Sequence, residues 1–161
     1  MSENPRLHIV LFEPEIPQNT GNVARTCVAL GAKLWLVRPL GFRIDAKAVR
    51  RAGLDYWSHL DYEIAANWDE LCERLSGRRF WFFSKKARRV YSEVEFFLED
   101  VLVFGSETRG VPDTMLTGNP DRTLRVPITD KVRSLNLGNT VALAAYETFR
   151  QWGHPQDRES L

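Results

Sequence analysis

Residues 7–37 read LHIVLFEPEIPQNTGNVARTCVALGAKLWLV, and this stretch indicates the fold class. Its first six residues, Leu7–Phe12, are mostly apolar and predict a buried strand. The two prolines of Glu13–Gln18 predict a loop, and Asn19 can cap the helix that follows. A second apolar run, Leu34–Val37, predicts another strand. The order strand, helix, strand, with continuous apolar strands, is typical of a parallel sheet.

The same alternation continues along the chain. The other predicted strands are Phe80–Phe83, Val101–Phe104 and Leu124–Val126, and the other predicted helices are one from an Asn67 cap to Leu75, Leu137–Trp152, and a short one from an Asp45 cap to Ala52. We therefore predict an α/β fold with a mostly parallel sheet and helices on both faces. In such sheets ligands bind beyond the carboxyl ends of the strands.

Length and composition limit the class of protein. A chain of 161 residues predicts a single domain, 1–161, with its core at 7–152 and a polar tail at 153–161. The 11% aromatic share excludes a wholly disordered chain. No apolar run approaches the ~20 residues of a membrane helix, so we expect no membrane partner. The polar N-terminus lacks the apolar core of a signal peptide, which predicts a cytoplasmic protein.

The charged residues are balanced in number but segregated along the chain. The 22 basic and 21 acidic side chains give a net charge of +1, which excludes nucleic-acid binding through bulk positive charge. Residues 78–89 hold six basic side chains and no acidic one, whereas acidic residues concentrate at 61–73 and 93–100. The pattern predicts either one positive face or ordinary solvated faces of separate elements.

Several common catalytic and metal-binding signatures are absent from the sequence. Cys27 and Cys72 form no C-x-x-C pair and have no histidine at ligand spacing, which predicts buried thiols and no metal site. The sequence contains no G-x-G-x-x-G, no P-loop and no G-x-S-x-G motif. His8, His59 and His154 have no evident catalytic setting and are interpreted as structural.

Three polar segments follow predicted strands. These segments are Pro14–Arg25, Phe104–Pro112 and Arg125–Asn139. In the first, Asn19, Asn22 and Arg25 share one side of a helix start, where they suit a phosphate or ribose oxygen. Glycines in the second let the backbone approach a ligand closely, and the third carries serine and asparagine at the start of a helix. Taken singly, helix caps and tight turns explain each segment equally well.

Together, the three segments resemble the three sequence motifs of the SPOUT superfamily of knotted RNA methyltransferases. The resemblance is greatest to the small single-domain tRNA 2′-O-methyltransferases that modify the wobble nucleotide, nucleotide 34. Its signatures here are EPEIPQNTGN at 13–22, RRAGLDYW at 50–57 and RSLNL at 133–137. It covers residues 7–152, with a departure at Gly138, where relatives often carry serine.

The resemblance implies a C-terminal deep trefoil knot whose loops bind S-adenosylmethionine as the cofactor. The positions that match cofactor contacts are Phe83, Gly105, Val126, Ile128, Ser134 and Leu135. The implied reaction is methyl transfer to the ribose 2′-oxygen of cytidine 34 or uridine 34, in leucine tRNAs. No metal is expected, because the sulfonium methyl group is already activated.

The resemblance assigns catalysis to Arg25, with Asn19 and Glu107 orienting Arg25 or the ribose. A guanidinium holds its proton with a pKa above ~12, so Arg25 is interpreted as stabilising the developing alkoxide and positioning a phosphate rather than as a base. Tyr146 matches a family position that acts near the active site across a dimer, and plain helix packing is the alternative.

The resemblance also implies partners. The family works as a homodimer through its C-terminal helix, so the apolar stripe that ends in Phe149 and Trp152 is predicted to form either a dimer surface or monomer core. tRNA is the expected RNA partner, and the candidates for phosphate contact are Arg50, Lys86, Arg88 and Arg89. The alternative interpretations are methylation of another tRNA or rRNA site, a knotted RNA-binding protein without activity, and a flavodoxin-like phosphate binder.

Overall fold

The computed structural model of the protein describes residues 5–45 and 55–154. The helix predicted between Asp45 and Ala52 and the RNA contact predicted for Arg50 lie outside these residues. The strands are β1 Leu7–Phe12, β2 Lys33–Val37, β3 Tyr62–Ala65, β4 Phe80–Phe83, β5 Arg89–Val90, β6 Asp100–Phe104 and β7 Thr123–Arg125. They form one seven-stranded sheet with the order β3-β2-β1-β6-β4-β7-β5. All six strand pairings are parallel, which confirms the predicted fold class.

Helices cover both faces of this sheet. They are α1 Pro17–Leu30, α2 Trp68–Arg74, α3 Asp113–Thr117 and α4 Leu137–Gln151, with short 3₁₀ turns at Asp55–His59, Tyr91–Glu93 and Pro120–Arg122. On one face, α1 and α4 pack on a cluster that includes Ile9 and Leu11 of β1. On the other, α2 and α3 pack on a cluster that includes Val10 and Val103. The alternation of side chains along each strand separates the two clusters.

The start of α1 differs from the prediction that Asn19 caps this helix. The capping position is Ile16, which offers no side-chain cap, and Pro17 occupies the first helical turn. Proline is favoured there because it lacks the N–H that would need a partner and its φ is already helical. Asn19 lies within the first turn and is 9% exposed. Its amide is thereby free to bond to other segments.

The cap predicted for α2 is confirmed. The Asn67 side chain accepts a hydrogen bond from the Glu70 amide at 2.9 Å. The Glu70 carboxylate in turn accepts from the Ala66 amide, one residue before the cap. Two of the otherwise unpaired N–H groups at this helix start are therefore satisfied locally.

The apolar stripe of α4 belongs to the monomer core. Val141, Ala145 and Phe149 are at most 1% exposed and belong to the same cluster as the buried side of α1. Trp152 is partly buried, and its indole N–H donates to the Phe96 carbonyl at 3.0 Å. Of the two predicted roles for this stripe, the structure therefore supports core packing, and a dimer surface on α4 would have to use its other side.

The two cysteines differ from each other. Cys27 is fully buried on α1, as predicted, and burial raises the pKa of its thiol. Cys72 on α2 is only partly buried, so the prediction of a buried thiol is wrong there; desolvation, followed by the charge of Asp69, raises its pKa. Neither setting favours a reactive thiolate.

No helix within residues 5–45 and 55–154 combines the length and the hydropathy needed to cross a bilayer.

The trefoil knot stays a prediction of the family resemblance.

Candidate active site

A cleft of about 560 Å³ opens at the carboxyl ends of β4, β6 and β7. The segments that follow these strands line it, together with the start of α4. All six residues that the sequence predicts as cofactor contacts are among its lining residues: Phe83, Gly105, Val126, Ile128, Ser134 and Leu135. The parallel strands bring them together because their carboxyl ends meet at one edge of the sheet.

The floor of the cleft is aromatic and closely packed. The rings of Phe83 and Phe104, on neighbouring strands, stack at a centroid distance of 4.6 Å. Directly after β6, the backbone at Gly105 approaches Gly110 so closely that a Cβ at Gly105 would lie 1.9 Å from the Gly110 carbonyl carbon. Gly110 itself has a φ of +69°, a conformation that other residues rarely adopt. The loop shape therefore depends on both glycines.

The carboxylate of Glu107 closes the N-terminus of α1. Its oxygens accept from the amides of Glu15 at 3.0 Å and Ile16 at 2.5 Å. A longer contact of 3.5 Å joins it to the Asn19 side-chain amide. Ile16 offers no side-chain cap, and Glu107, 91 residues away, accepts from the N–H of this capping residue and from that of the residue before it, where a negative charge also suits the helix dipole.

Asn19 and Asn136 extend this contact to the third polar segment. The Asn136 amide donates to Asn19 Oδ1 at 2.9 Å, while Asn136 Oδ1 accepts from the Asn139 amide and caps α4. The three predicted polar segments thus meet through Glu107, Asn19 and Asn136. Among the described residues, neither Asn19 nor Glu107 hydrogen-bonds to Arg25, so the predicted orientation of Arg25 by these two side chains is not seen within one chain.

Glu15 makes the reciprocal contact, and sequence reasoning missed it. Its carboxylate accepts from the Thr108 hydroxyl at 2.6 Å and from the Thr108 amide at 3.3 Å. Hydrogen bonds from Thr108 and then Ser106 hold the pKa of Glu15 below its usual range. We call Glu15, Glu107 and Thr108 the clasp. Glu15 lies inside the signature EPEIPQNTGN, but its partner is 93 residues away, so no local pattern could reveal the pair.

We expect Glu15→Gln to destabilise the protein at neutral pH and to do so less in acid. A carboxyl whose folded-state pKa is lowered stabilises the fold above its unfolded-state pKa, and this stabilisation is lost as the pH falls through the folded-state value. Thermal unfolding of both proteins from pH 7 downwards should therefore show a difference in Tm that narrows below about pH 4.3. Glu73→Gln, at an exposed position on α2, is the control. A difference in Tm that is independent of pH would contradict this role of the Glu15 charge.

Arg25 and Tyr146 lie outside the cleft of their own chain. Arg25 is exposed on α1, and its guanidinium carbon lies 5.9 Å from the centroid of the Tyr56 ring. Tyr56 is held by a 2.8 Å hydrogen bond from its hydroxyl to the Gly21 carbonyl. Tyr146 is 46% exposed on the side of α4 that faces away from the core. Their catalytic roles stay predictions.

The predicted basic segment divides into two parts. Lys86 lines the cleft and pairs with Asp113 at 2.9 Å, and Arg88 is exposed. Arg89 instead points away, since it donates to the Asp121 carbonyl at 2.7 Å and lies over the Trp81 ring at 6.0 Å. The cleft also has three basic lining residues that the sequence analysis did not single out: Lys85, Arg109 and Arg133.

A comparison with known protein families identifies the family of this chain. The model of the SpoU rRNA methylase family matches residues 6–146, which include every segment of the cleft. The chain belongs to this family.

Proteins that are similar to this chain over nearly their full length carry more specific names. A tRNA (cytidine(34)-2′-O)-methyltransferase of Saccharophagus degradans is 45% identical over 147 residues, 91% of this chain and 96% of that one. Another of that name, from Methylovorus glucosotrophus, is 43% identical over 144 residues, 89% and 94% of the two chains. A solved structure described as giving insight into 2-OH methylation of C/U34 on tRNA superposes with a TM-score of 0.86 at 46% identity, covering 92% and 97%.

The SpoU family assignment makes this protein a methyltransferase with S-adenosylmethionine as its cofactor. The cleft fits that cofactor. Its volume lies within the roughly 300–1,000 Å³ of ligand sites. Phe83, Ile128 and Leu135 offer apolar surface to an adenine ring, and the Gly105 backbone lines the same cleft. Among residues 5–45 and 55–154, no group of three or more histidine, cysteine or acidic side chains could hold a metal ion.

Proposed function

We propose that the protein methylates the ribose 2′-oxygen of nucleotide 34 in tRNA, a cytidine or uridine in leucine isoacceptors. The observation that carries the proposal is the near-full-length similarity, at 43–45% identity, to proteins named for this activity on cytidine 34. The six predicted cofactor contacts support it, because they line one cleft.

S-adenosylmethionine supplies an activated methyl group, so the chain has to align the ribose and accommodate the charge that develops on its oxygen. Arg25 suits the second task. Its guanidinium keeps its proton, and it has no hydrogen-bonded anionic partner among the described residues, so it can stabilise an alkoxide and hold a neighbouring phosphate. Asn19 and Glu107 act indirectly, since their bonds fix the start of the helix that carries Arg25.

We propose that the active enzyme is a homodimer that uses the exposed side of α4. Among the described residues seven large apolar side chains are exposed. Two of them, Phe97 and Leu98, precede β6, whereas the other five lie around the cleft or on this side of α4: Ile16, Val132, Leu135, Leu143 and Tyr146. Packing a second copy there would bring Arg25 and Tyr146 of one chain towards the cleft of the other. Light scattering should give a dimer mass that Leu143→Lys reduces to that of a monomer. A monomeric wild-type protein that is fully active would contradict the proposal.

Lys86 and Arg88 are expected to contact tRNA phosphates beside the cleft. Charge reversal of either residue to glutamate should weaken tRNA binding and reduce the slope of log affinity against log salt by somewhat under one unit per lost contact. Binding of S-adenosylhomocysteine should stay unchanged. Arg74→Glu is the control, because Arg74 is exposed on α2, pairs with Glu63 of β3 and does not line the cleft. Salt series that coincide for all four proteins would move the RNA surface elsewhere.

The cellular test is mass-spectrometric mapping of 2′-O-methyl groups in total tRNA, with and without the gene for this protein. Loss of the methyl group at nucleotide 34 alone is expected. Loss at another tRNA or rRNA position would support the alternative substrate, and an unchanged map would support an RNA-binding protein without activity.

A further inference from the structure

Arg25 can donate hydrogen bonds to a ribose hydroxyl but cannot accept one. A guanidinium carries five N–H donors and no acceptor, whereas a 2′-hydroxyl both donates and accepts. A hydroxyl whose oxygen bonds to Arg25 therefore needs a second group that accepts its hydrogen. Without such an acceptor the hydroxyl is free to rotate, and its lone pair is not held towards the methyl group.

The acceptors at the rim of the cleft already hold the start of α1. Asn19 Oδ1 accepts from the Asn136 amide at 2.9 Å. The Glu107 oxygens accept from the backbone amides of Glu15 and Ile16, at 3.0 and 2.5 Å. A ribose hydroxyl that bonded to these oxygens would compete with the contacts that fix the helix carrying Arg25.

Asn22 carries an acceptor that has no such task. Its side chain is exposed on α1, and it makes no hydrogen bond to any residue that the structure describes. Asn22 lies three residues before Arg25, so the two side chains share one side of the helix with their Cβ atoms about 5–6 Å apart. The amide and the guanidinium can therefore reach the same small group.

The Asn22 side chain also lies against the start of α4. A Cβ added at Gly138 would lie 3.1 Å from Asn22 Cβ, 3.8 Å from Asn22 Nδ2 and 3.2 Å from Asn136 Oδ1. Asn136 lines the cleft, so Asn22 lies beside its rim. The glycine at 138 leaves the room that the Asn22 side chain needs there.

We propose that Asn22 Oδ1 accepts the hydrogen of the ribose 2′-hydroxyl while Arg25 donates to its oxygen. This role rests on the proposed methyl transfer and adds Asn22 to the residues that contact the substrate. Because both residues belong to one helix, they reach the same hydroxyl whether the cleft is that of their own chain or of a second copy. The ribose oxygen gains the methyl group as the sulfonium–methyl bond breaks. The hydroxyl proton passes to water, since an amide oxygen accepts a hydrogen bond without retaining a proton.

Single-turnover methylation of tRNA, on protein saturated with S-adenosylmethionine, tests this role. Asn22→Ala loses the acceptor and should react at least tenfold more slowly, with its affinity for S-adenosylhomocysteine within twofold of wild type. Asn22→Asp keeps an acceptor and loses only the donor, so it should react at least threefold faster than Asn22→Ala. Gln18→Ala removes another exposed amide one turn earlier on α1, and this matched control should react at the wild-type rate.

A tRNA that lacks the 2′-hydroxyl of the methylated nucleotide isolates the contact itself. The methyl group that wild type adds is mapped first, and the 2′-deoxynucleotide is placed at that position. Wild type and Gln18→Ala should bind this tRNA more weakly than the tRNA that has the hydroxyl. The fold loss of affinity should be at least threefold smaller for Asn22→Ala, because its contact with the hydroxyl is already absent.

An equal loss of affinity in all three proteins would overturn the proposal, as would an Asn22→Ala protein that reacts at the wild-type rate. An Asn22→Asp protein that reacts no faster than Asn22→Ala would overturn it too, because the amide would then act as a donor. Methylation of a nucleotide other than 34 by wild type would instead contradict the proposed function. The role of Asn22 would still be decided by the deoxynucleotide at the position found.

Discussion

Gly105→Ala is expected to abolish binding of S-adenosylmethionine. The added Cβ would lie 1.9 Å from the carbonyl carbon of Gly110 and 2.1 Å from the amide nitrogen of Val111, and both are backbone atoms. Real Cβ contacts do not come so close, so the loop between Gly105 and Gly110 must open. That loop lines the cleft in which we expect the cofactor to bind, and it carries Glu107 of the clasp. Calorimetry with S-adenosylhomocysteine should show an affinity loss of at least a hundredfold.

Gly118→Ala is the control for this experiment. A Cβ at Gly118 would lie 3.4 Å from the Thr114 carbonyl oxygen, an ordinary contact, and Gly118 has a helical φ of −74°. This variant should bind the cofactor normally. Wild-type affinity in Gly105→Ala would show that the loop tolerates a wider separation and that the cofactor does not depend on its shape.

Arg25→Ala is expected to lower the rate of methyl transfer by about 10²–10³, the effect of removing one group that stabilises developing charge. Cofactor affinity should change little, because Arg25 does not line the cleft that holds the predicted cofactor contacts. Arg25→Lys should also be slow, since a point charge does not reproduce the planar guanidinium. Single-turnover rates with tRNA measure the effect.

Arg74→Ala removes an exposed arginine far from the cleft and is the control for charge. An Arg25→Ala protein that turns over at the wild-type rate would make Arg25 a surface residue that, among the residues the structure describes, contacts the Tyr56 ring. A parallel loss of cofactor affinity and rate would indicate instead that α1 has moved.

The central strands could be predicted from the sequence because each is a continuous apolar run bounded by proline, glycine or polar residues. Phe80–Phe83 needs only its own composition to be recognised as a buried strand. The outer strands carry no such signal. Tyr62–Ala65 is short and half polar, and Arg89–Val90 has two residues, so their strand conformation depends on pairing with β2 and β7.

The residues of the candidate site also fall into a group that the sequence predicts and a group that it does not. The six predicted cofactor contacts follow strand ends, and a parallel sheet brings such positions together whatever the details of packing. The clasp could not be predicted, since Glu107 reaches the amides at the start of α1 across 91 residues, whereas the local sequence pointed only to Asn19 as a cap. Local patterns show which residues can cap a helix, whereas the contacts of a helix start with distant segments depend on the tertiary structure.

Methylation of an unmodified leucine tRNA transcript by the purified protein tests the central claim most directly. The reaction contains S-adenosylmethionine and EDTA, and the product is mapped nucleotide by nucleotide by mass spectrometry. The account predicts a single 2′-O-methyl group, on the ribose of nucleotide 34, with the same yield with and without the chelator. A methyl group at any other position, or none on a transcript that the protein demonstrably binds, would contradict it.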